Sequence, residues 1–456
     1  MTFLRRAAII VVLLLAGTPA SPGSEQRVRP PQFESPYEFP ATTAPPPPSD
    51  VLEYVDLAVL LAALAAASYF ALKRRSRKWL LALTVFSLLY FGFWRAGCVC
   101  PVGAVQNVSS GLFDGRYVVP PTIVGFFVLP LVFTLFFGRT FCAAVCPLGA
   151  VQELVAVKPV RVPAWLEHAL GLAAYVYLAA AVLLAAMGSA YVICRADPFV
   201  PLFRVLPIGH WVHAASGNTP GGAAGISGRA DLLIPTAVFL LIGLFIARPY
   251  CRFLCPLGAI LRLLSRLSRW HVTITPAECI KCRLCENSCP YGAIRKPTPQ
   301  GESVGRPDRL RLAGMLVLLP MAVAGGGLLG WGVSGQLAKV DYTVQLAQRI
   351  RLEQAGLVSE RTDQSLAFEQ SKVSVDKLYA NAQAVKAGYS TGSAVAGAFV
   401  GLVVVLKLLA LSVQRNRQDY FPDRAVCMSC ARCFSYCPIE RQRVVKGHLP
   451  VITKVN

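Results

Sequence analysis

Long apolar runs separated by short polar segments form the main pattern along the chain. A helix that crosses a bilayer needs about 20 apolar residues, and seven runs reach or approach that length: 51–72, 79–94, 118–137, 166–187, 232–247, 310–331 and 391–411. The segment 334–390, between the last two runs, mixes acids with bases and has Val340, Val344 and Ala347 at helical spacing. The pattern predicts a mainly α, polytopic helical membrane protein with about seven transmembrane helices, in which 334–390 is an exported helical hairpin.

The first 50 residues lack the length or pattern of a folded domain. Residues 1–22 start with Arg5 and Arg6, followed by an apolar run too short to span comfortably. We interpret them as a signal peptide or an N-terminal anchor, and both place residue 23 outside. Residues 23–50 are Pro-rich and predict an extended, exported linker.

Composition strengthens the membrane interpretation. The 456 residues are 55% hydrophobic and 15% charged, which excludes an ordinary soluble globular protein. The net charge of +21 does not require nucleic acid, because the basic residues lie in loops at membrane ends. The densest basic cluster, 73–78, marks the cytoplasmic side. An acidic electron carrier that docks on a basic face is the alternative use of this charge.

The topology divides the chain into further segments after the linker. A membrane domain covers 51–270, and a transmembrane pair at 309–413 encloses the exported segment 334–390. Short cysteine-rich segments follow each of these parts, at 271–300 and 414–456. Positive-inside counting predicts a multi-pass protein with both cysteine-rich segments in the cytoplasm, where thiols stay reduced. The expected location is the bacterial inner membrane.

Those two segments carry the strongest chemical signal in the sequence. Each has the spacing C-x2-C-x2-C-x3-C-P, through Cys279, Cys282, Cys285 and Cys289 in the first, and through Cys427, Cys430, Cys433 and Cys437 in the second. This is the spacing of bacterial ferredoxins, in which three close thiolates and one distant thiolate bind a [4Fe–4S] cluster. Structural zinc is the alternative, but zinc sites usually set two C-x2-C pairs about 15–20 residues apart.

In two-cluster ferredoxins the fourth cysteine of each motif binds the other cluster. The prediction is therefore two [4Fe–4S] clusters in one small α+β module split between the two segments. Cluster 1 takes Cys279, Cys282, Cys285 and Cys437, and cluster 2 takes Cys427, Cys430, Cys433 and Cys289. The last two spans lie within residues 291–426, between the two halves. Crossed ligation would therefore hold the cytoplasmic ends of these spans close together.

A second cysteine pattern recurs three times after membrane spans, as Cys100-Pro-Val-Gly-Ala, Cys146-Pro-Leu-Gly-Ala and Cys255-Pro-Leu-Gly-Ala. Proline cannot continue the preceding helix, and glycine allows a tight turn or a close backbone approach. Cys142 with Cys146 and Cys251 with Cys255 are two C-x3-C pairs on one side of the membrane. Four thiolates there would hold a further Fe–S centre or a regulatory dithiol. The alternative is four small residues buried in helix ends.

Three cysteines, Cys98, Cys100 and Cys194, fall on the predicted outer side. The alternatives are a disulfide that leaves one free thiol, a copper or zinc site completed by His210 or His213, and no special role.

These motifs together resemble the NosR/NapH-type membrane polyferredoxins. The resemblance rests on Arg95-Ala-Gly-Cys-Val-Cys-Pro, the two Cys-x3-Cys-Pro-Leu-Gly-Ala segments and the paired ferredoxin motifs, and covers about 51–300 and 414–456. It implies electron transfer between a quinone or a cytoplasmic donor and an exported reductase system, or support for the maturation of that reductase. NosR-like members carry a large exported flavin-binding domain, for which 23–50 is too short, and NapH-like members lack the insert 301–413.

The functional prediction is a membrane-bound electron-transfer subunit without catalytic residues of its own. The alternative is a redox-sensing maturation or regulatory factor for an exported metalloenzyme. No Gly-rich dinucleotide loop is present in the sequence. The predicted cofactors are the two clusters, with a further Fe–S centre and a quinone as candidates. The predicted partners are a cytoplasmic electron donor, membrane lipid and an exported reductase or carrier that docks on 334–390.

Overall fold

A computed structural model describes residues 50–95, 100–113, 117–157, 159–193, 197–198, 202–203, 230–274, 279–298, 309–358, 361–371, 373–412, 417 and 419–445. The predicted N-terminal segments 1–22 and 23–50, except its last residue, and the residues Cys98, Cys194, His210 and His213 lie outside this description. The described chain is mainly helical, as predicted.

The described residues of the membrane domain form nine α-helices. They are α1 Asp50–Ser68, α2 Arg77–Ser87, α3 Pro101–Phe113, α4 Pro121–Phe137, α5 Pro147–Val155, α6 Ala164–Ala186, α7 Ala230–Phe245, α8 Pro249–Phe253 and α9 Pro256–Ser265. Helices α1 and α2 continue as wider π-helical turns, Tyr69–Lys73 and Leu88–Trp94, and a third π turn, Phe141–Val145, precedes α5.

Every predicted span coincides with a helix. Among the residues that the structure describes, four helices are long and apolar enough to cross a membrane: Val51–Lys73, Trp165–Ala186, Leu316–Val340 and Val375–Leu411. Pro121–Phe137 and Thr236–Phe245 are apolar but shorter. The mainly α, polytopic class is therefore confirmed, whereas the number of complete crossings is smaller by length alone than the seven predicted.

Helix α6 defines the two ends of the membrane domain. Near its start, Glu167 pairs with Arg252 at 2.9 Å and lies beside Gly292 of the first ferredoxin segment. Near its other end, Ala185 O accepts a hydrogen bond from Ser110 at 3.0 Å. At about 1.5 Å per residue, α6 separates these ends by roughly 30 Å. We call them the ferredoxin end and the distal end.

Helix α3 starts inside the membrane domain. Ser110, in its last turn, lies at the distal end. Cys100 lies directly before α3, ten residues ahead of Ser110, and is therefore about 15 Å from Ser110 along the helix. Helices α5 and α9 run the other way, because Glu153 and Ser265 near their ends bond to ferredoxin residues. Three short helices thus begin at cysteines in the interior.

The ferredoxin module consists of α10 Leu284–Ser288, β1 Ile294–Arg295, β2 Phe421–Pro422, α15 Arg432–Tyr436 and α16 Pro438–Val445. The strands are antiparallel, with Ile294 opposite Pro422 and Arg295 opposite Phe421. This two-stranded sheet joins halves that are more than a hundred residues apart in sequence, as the split α+β module requires.

The two halves are separated by a helix pair and a small helical segment. They comprise α11 Arg309–Leu337, a 3₁₀ turn Ala338–Val340, α12 Tyr342–Gln354, α13 Asp363–Gln370 and α14 Val375–Ser412. Helices α11 and α14 pack backbone to backbone, since a side chain on Gly326, Gly330, Gly397 or Gly401 would collide with the opposite helix. Such close approach through small residues is common between membrane helices.

The segment 334–390 is helical as predicted, but it contains three helices rather than a two-helix hairpin. Helices α12, α13 and the first turns of α14 enclose a small core that includes Val344, Ile350 and Phe368. Ser189, just after α6, donates a hydrogen bond to Asp341 at 2.6 Å, and Gly388 lies against Met187. The segment is therefore attached to the distal end of the membrane domain.

Candidate iron–sulfur centres

Both ferredoxin loops adopt the same unusual backbone. The residues on either side of the second cysteine have positive φ in each motif, at 54° and 61° for Lys281 and Arg283 and at 53° and 56° for Ser429 and Ala431. Non-glycine residues rarely adopt this conformation, and it concentrates at functional sites. Equal spacing in the two motifs thus produces equal loops.

Two small cavities lie between these loops. The lining of the first includes Cys279, Cys282, Cys285 and Cys437. The lining of the second includes Cys289, Cys427, Cys430 and Cys433. The structure therefore brings together the cysteines in the two crossed sets, three from one motif and one from the other.

The four cysteines of each set line a cavity and do not meet at a single point. Within the described part of the chain, no three His, Cys, Asp or Glu side chains are grouped closely enough to hold a single metal ion. A zinc ion would draw its sulfurs to one point at about 2.3 Å, whereas a [4Fe–4S] cube separates them. The residues fit a cube, which would supply one-electron storage, and their role as ligands stays a prediction.

The three Cys-Pro-x-Gly repeats have one local structure. In each, the cysteine carbonyl accepts the first hydrogen bond of the next helix, from Ala104, Ala150 and Ala259 at 3.0, 2.9 and 3.1 Å. The thiol sulfur also accepts the N–H of the glycine, at 3.3 Å for Cys100 and 3.2 Å for Cys255. Cys146 holds the same N-cap position, but its sulfur makes no such side-chain hydrogen bond. Each cysteine therefore caps a helix N-terminus, where the helix dipole favours negative charge.

Cys142, Cys146, Cys251 and Cys255 come together as a buried group, with exposed fractions of 7, 8, 6 and 7%. The four thiols are close enough for mutual electrostatic influence. Gln152 donates a hydrogen bond to the Cys251 sulfur at 3.4 Å. We call these four residues the membrane cysteine group.

Two fully buried arginines flank the membrane cysteine group. Arg139 and Arg248 are each 1% exposed. Arg248 donates to the carbonyls of Cys142 and Ala143. Arg139 points one nitrogen at the Cys142 sulfur, at 3.9 Å, and donates to Ala425 O of the ferredoxin module at 3.3 Å. The described residues include no carboxylate paired with Arg139. A buried charge needs compensation, which ligated thiolates would provide.

Glu153 connects the membrane domain to the ferredoxin module. Its carboxylate accepts hydrogen bonds from Arg77, Arg248 and Arg432 at 2.9, 3.2 and 3.2 Å, and from Tyr291 at 2.9 Å. Burial alone would raise the pKa of Glu153, but the three arginines together lower it to about 2. The carboxylate is therefore charged at neutral pH and holds Arg432, between Cys430 and Cys433, over the membrane domain.

The predicted outer cysteine group needs one revision. Cys100 is at the start of α3, close enough to Cys146 to influence it electrostatically. It is therefore next to the membrane cysteine group and not at the distal surface. The physical reason is the interior start of α3, which hydropathy does not reveal. Cys98 and Cys194 lie outside the described residues, so the predicted outer disulfide or metal site stays a prediction.

The sequence reasoning missed Arg139, Arg248 and Glu153. A longer repeat would have found the arginines, since Arg139 and Arg248 each precede the first cysteine of a C-x3-C-P motif by three residues. Arg95 stands in the same position before Cys98 and pairs with the buried Asp56 at 2.7 Å. Glu153 had no comparable signal, because its partners come from four separate segments.

Comparison with known families agrees with these sites. A profile described as "4Fe-4S binding domain" matches residues 79–120, 118–173 and 230–275, and a second profile of that description matches 272–295. The three matches of the first profile contain the three Cys-Pro-x-Gly repeats. No solved structure matches the chain.

Several curated proteins are similar over short segments. "Putative electron transport protein YccM" of Escherichia coli is 40% identical over 58 residues, 13% of this chain and 16% of that protein. "Protein NirI" of Paracoccus denitrificans is 49% identical over 53 residues, 11% and 8% of the two chains. An uncharacterized protein of Methanocaldococcus jannaschii is 35% identical over 65 residues, 14% and 26% of the two chains.

The chain thus covers about a quarter or less of the length of each of these relatives. The two 4Fe-4S profiles, the relative whose name is putative electron transport protein and the apolar helices nevertheless agree with one another. These findings support the resemblance to the membrane polyferredoxins, and the matched segments are similar to 4Fe-4S binding domains.

Proposed function

We propose that this protein carries electrons through the bacterial inner membrane, between a donor at the ferredoxin end and an exported reductase system at the distal end. The observation that carries the proposal is the contact of Arg139 with both Ala425 and Cys142. It means that the membrane cysteine group begins directly below the second ferredoxin motif.

The membrane cysteine group is the proposed third redox centre. Two sequence segments supply its four buried thiols, two arginines compensate negative charge, and the helix dipoles of α5 and α9 point their positive ends toward it. A bound Fe–S centre would supply one-electron storage there. A regulatory dithiol would need the same thiols but not two buried cations.

The ferredoxin end offers a docking face for a cytoplasmic donor. Cys282 is exposed, and so are Lys281 and Arg283 beside it. Lys296, 62% exposed at the side chain, adds a further cation near Glu286. This basic rim around the outer cluster site suits an acidic electron carrier, because complementary charge speeds docking.

The distal end is the proposed exit. Cys100 extends the series of cysteines from the ferredoxin module toward that end, and α3 continues from it to Ser110. The segment 334–390 is attached there through Asp341 and Gly388, and we propose that it captures the exported partner. Between the two ends lies an apolar core of about 30 Å, so intermediate centres are necessary for transfer.

The test replaces two thiols of the membrane cysteine group, as Cys146→Ala with Cys255→Ala. In liposomes, both ferredoxin sites should keep their iron, while reoxidation by an acceptor on the distal side should stop. The matched control changes the preceding residues, Val145→Ala with Leu254→Ala, and should retain transfer. Transfer at the parental rate in the cysteine variant would show that these thiols are structural.

The same liposomes separate transport from sensing. An electron-transfer protein should turn over continuously with donor and acceptor present, whereas a redox-sensing maturation factor would change state once per molecule. Deletion of 341–386 with a flexible bridge should preserve iron and turnover with a small acceptor but weaken capture of the exported partner. Unchanged capture would exclude 334–390 as the docking segment.

A further inference from the structure

Three cations from separate helices lie against the start of α6, at the ferredoxin end of the membrane domain. Arg252 is in α8, Arg262 in α9 and Lys407 near the end of α14. Arg252 pairs with Glu167 of α6 at 2.9 Å. A Cβ placed on Gly171, one turn further along α6, would be 3.0 Å from Arg262 Nη1 and 3.4 Å from Lys407 Nζ. We call Arg252, Arg262 and Lys407 the α6 cation group.

The α6 cation group carries more positive charge than its carboxylate compensates. Glu167 acts electrostatically on all three cations, which leaves two positive charges in excess. Arg262 and Lys407 donate to backbone carbonyls, those of Arg252 and His168. Arg252 is buried, and its Nε and Nη1 have no hydrogen-bond partner among the described residues. Buried charge without compensation is costly, so the group favours an added anion.

The group lies at a membrane boundary. Two helices long enough to cross a membrane, Trp165–Ala186 and Val375–Leu411, have one end here. Trp165 is exposed, and tryptophan concentrates at membrane–water interfaces. Leu408 and Leu411, in the last turns of α14, are also exposed, as expected of side chains that face acyl chains. Basic pockets between membrane helices at this depth suit anionic lipid headgroups.

The ends of Arg262 and Lys407 are the parts of the group that a ligand can reach. Both residues are half-buried, and Gly171 places no side chain between their nitrogens and α6. Arg262 bonds Arg252 O through Nη2 at 2.6 Å, which leaves Nη1 directed at Gly171. Lys407 uses one of its three donors on His168 O. The two side chains therefore have donors for a shared anion, while Arg252 contributes charge from behind them.

We propose that the α6 cation group binds the phosphate of an anionic phospholipid, whose oxygens accept hydrogen bonds from Arg262 Nη1 and Lys407 Nζ. The phosphate supplies the missing negative charge, and the acyl chains lie along the exposed leucines of α14. A soluble phosphate shares this headgroup chemistry but makes no use of Leu408 or Leu411. The bound lipid holds the end of α14, which leads to the second ferredoxin segment, against α6. The site does not depend on the proposed electron transfer.

The binding test uses the full-length protein in detergent, with phosphatidylglycerol and phosphatidylcholine as probes. Native mass spectrometry should show phosphatidylglycerol retained in preference to phosphatidylcholine. Phosphatidylglycerol should also raise the unfolding temperature saturably, because a ligand that binds the folded state stabilises it. Glycerol 3-phosphate, which carries the phosphate without acyl chains, should not. Equal stabilisation by both lipids, or by glycerol 3-phosphate, would overturn the proposal.

A pair of double variants tests the two donors. Arg262→Gln with Lys407→Gln should weaken phosphatidylglycerol binding at least about tenfold, the usual effect of one lost charged hydrogen bond. Arg262→Lys keeps the charge and should retain most of the binding. The matched control, Lys73→Gln with Arg74→Gln, removes two exposed cations from the same end and should bind as the parent does. An equal loss in the control would show unspecific attraction to surface charge and refute the site.

A pair of substitutions at Gly171 separates loss of the site from loss of the fold. Gly171→Asp places a carboxylate between Arg262 Nη1 and Lys407 Nζ, where it replaces the lipid phosphate. This variant should unfold no earlier than the lipid-free parent and should gain no stability from phosphatidylglycerol. Gly171→Ala, whose Cβ meets the flexible ends of two long side chains, should keep the response to the lipid. A parental response in Gly171→Asp would refute the proposed site.

Discussion

The ferredoxin module and the membrane cysteine group each join two short cysteine motifs from distant parts of the chain, in opposite surroundings. The first is closed by a two-stranded sheet and leaves Cys282 exposed. The second has no thiol more than 8% exposed and is flanked by Arg139 and Arg248. Water can solvate charge at the exposed site, whereas the buried site needs protein cations. Burial therefore decides which residues must accompany the cysteines.

The largest expected effect is the loss of iron from the ferredoxin module when one cluster ligand is replaced. Cys437→Ser should remove the iron of the 279–285 site, and Cys289→Ser that of the 427–433 site. Each variant should lose about four of about eight ferredoxin iron atoms, because the fourth ligand comes from the other motif. Iron analysis and electron paramagnetic resonance of anaerobic protein provide the measurement. Ser435→Ala is the control, and damage confined to the local site would show uncrossed ligation.

Removal of the carboxylate that connects the two regions comes next. Glu153→Gln leaves three arginines without their shared partner and should cost about 3–5 kcal/mol of local stability at the junction. Hydrogen exchange of 290–295 and 427–433 should speed up. Glu369→Gln, in the exposed pair with Arg361, should change little.

The same carboxylate predicts a pH dependence. The pKa of Glu153 is lowered from 4.5 to about 2, so its stabilising effect is fully present above about pH 5 and is lost as the pH falls toward 2. Protection of the junction against exchange, corrected for intrinsic rates, should be constant from pH 5 to 8. A marked loss of protection between pH 7 and 5 would contradict this account.

A smaller effect is expected from one cation of the membrane cysteine group. Arg139→Met removes a buried charge beside Cys142 without leaving a carboxylate unpaired. Negative charge at the group becomes less favourable, so its midpoint potential should fall by about 60 mV, a tenfold change for one electron. In Arg139→Lys the midpoint potential of the membrane cysteine group should fall less, and the potentials of the ferredoxin clusters should stay unchanged in both variants. If Arg139→Met keeps the parental midpoint potential, the charge of Arg139 has no electrostatic effect on the thiols.

The smallest effect compares the two C-x3-C-P repeats. A Cβ on Gly258 would lie 3.0 Å from the Cys251 carbonyl, whereas one on Gly149 would lie 3.4 Å from that of Cys142. Gly258→Ala should therefore destabilise the protein by about 1 kcal/mol or more, and Gly149→Ala by less. Thermal unfolding in detergent measures both. A larger destabilisation by Gly149→Ala than by Gly258→Ala would show that the backbone distances do not determine the cost of these substitutions.

The sequence by itself determined the features that depend on neighbours along the chain. Hydropathy located a helix at each predicted span, because apolar runs of this length bury backbone polar groups best as helices. Cysteine spacing determined the paired loops, in which Lys281 and Arg283 repeat the conformations of Ser429 and Ala431. The Cys-Pro-x-Gly repeat determined three capped helix starts.

Only the tertiary structure decided features that depend on distant segments. Hydropathy does not give depth, so the interior start of α3 and the position of Cys100 beside Cys146 were not predictable from the run of residues. A single buried arginine or glutamate is unfavourable in isolation, and Arg248 and Glu153 are stabilised by partners from several segments. The α6 cation group likewise exists only where α8, α9 and α14 meet the start of α6.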